Sequence, residues 1–122
     1  MIWLAVAAGG ALGSVARHGV NVAIAALTDT TTPYATATVN IVGSIAIGVL
    51  AGLTAAGKVE MSPPLRTFVF VGILGGFTTF SSFMLDTLTL GHGNEHALAI
   101  ANVLLQVVIG LIAVFAGYAA AR

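Results

Sequence analysis

Four long apolar stretches, divided by short polar connections, constrain this chain more than any other feature. A helix needs about 20 mostly apolar residues to cross a bilayer, and each stretch is long enough. The first predicted span runs from Ile2 to Leu27 and is followed by TDTTTPY, a polar connection that holds Pro33. The second runs from Tyr34 to Ala56, the third from Thr67 to Leu90 and the fourth from Ala97 to Ala121. GKVEMSPPLR and the glycine-rich GHGNEH connect them. Connections this short set neighbouring helices antiparallel. The sequence therefore predicts an all-α membrane protein in which residues 1–122 form a single four-helix transmembrane domain. Charge points the same way. Only 7% of the residues are charged, against about 25% in soluble domains, too few to cover a surface facing water. Four basic and four acidic residues balance, so nothing attracts nucleic acid. The absence of cysteine excludes disulfides, thiol catalysis and thiolate metal sites. Met1 to Ala8 lacks a basic leader, which favours a retained helix over a signal peptide.

Each span except the third carries small or polar residues four apart, and residues so spaced share a helix face. They are Gly9, Gly13, Arg17 and Asn21; then Thr36, Asn40, Ser44, Gly48 and Gly52; then Asn102, Gln106 and Gly110. Glycines on such a stripe let helices approach closely, and amides bond across the contact. Arg17, Asn40, Asn102 and Gln106 are costly in hydrocarbon unless they face protein or water. A thin four-helix bundle can hardly bury every polar stripe, so a homodimer is expected. Lys58, Arg66 and Arg122 fall on one side of the predicted bundle, which leans both termini towards the cytoplasm. So small a bias is also what a chain inserting in both orientations would carry.

The third span holds GGFTTFSSF, Gly75 to Phe83. Glycine, threonine and serine together weaken a helix. A break at membrane depth frees backbone groups that lipid cannot satisfy, so it must be buried in protein or line a wet cavity. Freed carbonyls near Gly75 to Thr78 are candidate ligands for a small cation. Phe80 and Phe83 are three apart, on one face, and an aromatic ring has a positive edge that attracts anions. Thr78, Thr79, Ser81 and Ser82 bring hydroxyl donors, Asn40 an amide with two N–H groups and Arg17 a permanent positive charge. Donors, ring edges and an arginine with almost no acid nearby point to an anion path. The simpler reading is core packing, with the hydroxyls bonded back to their own helix. Asp86, near the end of the span, reads either as solvated or as a carboxylate at the mouth of the path. His18, His92 and His96 form no metal constellation. No nucleophile–base pair stands out, so an enzyme is not expected.

Three motifs make the chain resemble the CrcB/Fluc family of fluoride channels over nearly its whole length. GGALGSVARH (Gly9 to His18) is similar to the family's glycine-rich first helix ending in arginine. VNIVGSIAIG (Val39 to Gly48) is similar to its asparagine-glycine second helix, and GGFTTFSSF resembles its third-helix signature. The resemblance implies passive, fluoride-selective export across the cell membrane and a dual-topology antiparallel homodimer in lipid. Some relatives pair as heterodimers with a paralogue. It implies Phe80 and Phe83 as ring-edge fluoride ligands, Asn40 as the amide donor and Arg17 in the polar vestibule. Ser81 and Ser82 would belong to a polar track, with Asp86 near the pore. The carbonyls of Gly75 and Thr78 would hold a structural sodium ion at the dimer centre. His18 stands where tyrosine is usual, Ser82 where threonine is common and Gln106 where many members carry a small hydroxyl residue. Two other functions fit a small helical membrane protein: a dual-topology proton-coupled multidrug exporter, which needs a carboxylate deep in the membrane, and a non-transporting scaffold.

Overall fold

The computed structural model describes all 122 residues and contains helices without strands. Helix α1 spans Ile2–Thr28 and ends where Asp29 turns left-handed (φ 58°), its N–H bonded to Ala25 O. Helix α2 spans Tyr34–Ala55. The third membrane segment is composite. It opens as α3, Pro63–Arg66, where Ser62 caps Leu65 N and the prolines occupy helix positions that need no N–H. It widens into a π-helix over Thr67–Leu74, resumes as α4, Gly75–Phe77, and then breaks. Thr78 (φ −85°, ψ 163°) and Thr79 (φ −155°, ψ 127°) are extended, and α5, Phe80–His92, continues the span. Helix α6 spans His96–Ala121. The break expected within GGFTTFSSF is therefore present, at its two threonines. The segment begins four residues before the predicted Thr67, because the double proline starts the helix instead of preceding it.

Helix α1 packs against the π-helix and α4, α2 against α6, and α5 against α6. Bare backbone makes the first two contacts. A Cβ on Gly9 would lie 2.8 Å from Gly72 Cα, and one on Gly117 would lie 2.8 Å from Ile45 O. These are the close crossings that the glycine stripes predicted.

Only 17 of 122 residues are buried, while Trp3, Leu12, Ile112, Phe115 and many other large apolar side chains are exposed. So much bare apolar surface suits a lipid solvent and not water. Three segments are long and apolar enough to span a membrane: Tyr34–Ala55, Pro63–His92 and His96–Ala121. Helix α1 is as long as these, but Ser14, Arg17, His18 and Asn21 dilute its apolar character. The architecture is that of a multi-pass membrane protein. One chain suffices to bury the α6 stripe, since Asn102 is 4% and Gln106 7% exposed. A single bundle thus shelters the two amides of α6 by itself, whereas Arg17 and Asn40 remain half-buried.

Candidate functional site

Losing the helical bond pattern at Thr78 and Thr79 leaves polar backbone that something must satisfy. Asn40, midway along α2, does this for Thr79. Its Nδ2 donates to Thr79 O at 3.0 Å, and Thr79 N donates to its Oδ1 at 2.9 Å. The amide thus takes the place of a neighbouring strand, and this reciprocal pair fixes which way round it sits. The second Nδ2 hydrogen goes to Gln106 Oε1 at 2.7 Å. From there Gln106 Nε2 donates to Asn102 Oδ1 (2.8 Å), Asn102 Nδ2 to Thr87 Oγ1 (3.0 Å) and Thr87 Oγ1 to Phe83 O (2.9 Å). A continuous chain of polar groups runs from the break across α6 and back to α5.

Thr79 also starts α5, its Oγ1 accepting from Ser82 N at 3.2 Å and lying 3.4 Å from Ser81 Oγ. Such a cap stabilises a helix start by about 1 kcal/mol. Thr78 Oγ1 bonds back to Leu74 O at 2.9 Å, as the simpler reading of the motif anticipates. The hydroxyl of Thr79 has only the long Ser81 contact as an outlet for its hydrogen, and that of Ser82 bonds to no protein group. The carbonyl of Thr78 receives no backbone N–H; Arg17 Nη1 approaches it from α1 at 3.5 Å.

Beside the break lies a cleft of about 340 Å³ whose wall includes Asn40, Ser44, Phe70, Gly75, Thr78, Thr79, Phe80 and Phe83. No acidic or basic side chain lines it. The Phe80 and Phe83 rings meet edge to face, centroids 6.0 Å apart at 83°. Phe83 is 6% exposed and Phe80 72%, so one ring is fixed in the core and the other stands open.

The structure gathers six of the sequence-selected residues here: Asn40, Gly75, Thr78, Thr79, Phe80 and Phe83. Arg17 approaches the break from α1 without lining the cleft, and Ser81 (exposed) and Ser82 also lie outside it. Asp86 is also outside it, half-buried, with Oδ1 accepting from Thr32 Oγ1 at 3.3 Å and Oδ2 buried without a partner. Ser44 and Phe70 were not selected as site residues. Ser44 was legible as Asn40 plus four; nothing in the local sequence marks Phe70, which arrives through the π-helix.

An apolar bundle, a membrane helix broken over a neutral cleft and a buried amide chain together define a membrane protein built to handle a small polar solute or ion. Comparison with known proteins makes this specific. The family described as CrcB-like protein, Camphor Resistance (CrcB), matches residues 4–118. A protein of Rhodospirillum centenum named fluoride-specific ion channel FluC is 48% identical over 119 residues, covering 98% of this chain and 94% of the relative. Proteins of the same name from Rhodospirillum rubrum (47%; 99% and 95% covered) and Paracoccus denitrificans (49%; 98% and 94%) are equally similar. The chain belongs to the CrcB family.

Proposed function

We propose that this protein is a fluoride-selective channel that lets the ion leave the cell down its own gradient, with no chemistry performed on it. The observation that carries the reading is the broken third span clasped by Asn40 beside a cleft without charged side chains. The names of its relatives support fluoride as the ion.

Fluoride is small and holds water tightly. A pore must replace that water with donors and still release the ion. On the cleft wall the hydroxyl of Thr79 and the edges of Phe80 and Phe83 offer such donors without a fixed charge to trap the anion, with Ser82 on the adjoining helical turn. Asn40 contributes one N–H in exchange for a bond it makes within the protein. Arg17, 3.5 Å from the Thr78 carbonyl, adds positive potential. Ser81 and Asp86 belong to the approaches. Electrostatics selects anions over cations; the choice of fluoride over chloride rests on the names of the relatives.

The working unit is an antiparallel, dual-topology homodimer in the cell membrane. The exposure of Phe80 and Gly75 supports this, since a second copy would cover both and turn an open cleft into a closed path. A structural sodium ion at the centre fits the donor set: Thr78 O has only the long Arg17 contact, and carbonyls from two copies would surround the ion. It would hold broken helices together and take no part in transport.

Growth tests the function. In a bacterium that lacks fluoride export of its own, this chain is expected to restore growth on fluoride. No rescue, with the protein present in the membrane, refutes it. Resistance to cationic drugs that Asp86→Asn abolishes would favour a proton-coupled exporter instead.

A further inference from the structure

We propose that Gln106 sets how tightly the site holds fluoride, by occupying the Asn40 N–H that the anion must take. The inference rests on the fluoride reading above. Asn40 has two N–H hydrogens, and both are engaged. The bond to Thr79 O belongs to a reciprocal pair, because Thr79 N returns a bond to Oδ1. Breaking it would also loosen the extended backbone at the break. The bond to Gln106 Oε1 stands alone, so it is the one an anion displaces. Gln106 thus keeps the empty site satisfied, since a part-buried N–H without an acceptor is costly. It also competes with the ion, and a pore that must release its ion gains from such competition.

Gln106 cannot turn its amide round to escape this role. Its Nε2 is committed to Asn102 Oδ1, Asn102 Nδ2 to Thr87 Oγ1, and Thr87 Oγ1 to the carbonyl of Phe83. Asn40, held by its reciprocal pair with Thr79, turns Nδ2 towards Gln106, so Gln106 must meet it with Oε1. Thr87, which lies outside the cleft, satisfies Asn102 without setting that direction.

The test is the fluoride concentration giving half-maximal flux, measured with a fluoride electrode on lipid vesicles holding the full chain. One neutral hydrogen bond separates wild type from Gln106→Met, so that concentration is expected to fall by about fivefold. Gln106→Glu, whose charge grips the same N–H and repels the anion, is expected to raise it. Thr87→Val removes the acceptor of Asn102 Nδ2 but leaves Asn40 to hold Gln106 Oε1 in place, so the concentration is expected to stay at the wild-type value. A purely structural role predicts lower flux in every variant, with half-saturation unmoved or raised, and that result overturns the proposal. If Gln106→Met does not assemble, Gln106→Leu, which also removes the acceptor, decides in its place. Wild-type vesicles that pass no fluoride refute the channel reading itself, whereas a conducting wild type with unresponsive Gln106 variants refutes only the role of Gln106.

Discussion

Asn40→Asp changes one atom of the clasp and tests it severely. The shape is kept, and Thr79 N can still donate to the oxygen that stays in place. The other atom becomes an acceptor facing two acceptors, Thr79 O at 3.0 Å and Gln106 Oε1 at 2.7 Å. Each part-buried group left without its donor costs about 1–3 kcal/mol. Because the site is only partly closed, the low end applies, and roughly 2–4 kcal/mol of stability should be lost. Flux suffers from a second effect. A carboxylate on the cleft wall repels an anion about 4 Å away by roughly 4 kcal/mol at the effective dielectric of a partly wet site. Screening and water will halve this, and about 2 kcal/mol still lowers the flux by roughly 30-fold. The assay is electrode-monitored release from vesicles, with thermal unfolding in detergent alongside. A variant that unfolds at the wild-type temperature and conducts at the wild-type rate refutes the clasp.

Other outcomes follow from the same geometry. Phe83→Ile, which keeps an apolar group in the core but removes a ring edge, should cut fluoride flux by tenfold or more (about 1.4 kcal/mol) while the protein stays monodisperse on gel filtration. Thr79→Val keeps the shape and loses the cap on Ser82 N, so thermal unfolding should show a loss of about 1 kcal/mol, together with reduced flux. Gly9→Ala drives a methyl group into Gly72 Cα, 2.8 Å away, and should cost about 1–3 kcal/mol, whereas Gly91→Ala, which meets nothing within 4 Å, should be tolerated; detergent melting curves compare them.

The long helices were legible because each follows an extended run of mostly apolar residues, although α1 is not apolar enough to stand with the three spanning segments. Helix α2 ends one residue before the predicted Ala56, α6 starts one residue before Ala97, and α1 ends one residue after Leu27. The double proline misled the start of the third span, because proline both ends and begins helices, and Ser62 Oγ decides for a beginning. The π-widening left no mark in the sequence. It accompanies the backbone contact between Gly9 and Gly72, a tertiary fact that local propensity cannot encode. At the site, GGFTTFSSF announced a break, and the two threonines supplied it because their side chains can replace lost helical bonds. The pairing of Asn40 with Thr79, 39 residues away, depends on how α2 sits in register against the third span. Gln106 was visible as an unusual residue, yet its bond to Asn40 follows from the close α2–α6 crossing that Gly48 and Gly117 permit.

The most direct test of the central claim uses liposomes that contain the purified wild-type chain, loaded with both fluoride and chloride and followed by an electrode for each ion. Opening a path for counter-charge should release the fluoride promptly and leave the chloride inside. Vesicles that keep their fluoride, or that lose both ions together, contradict the account.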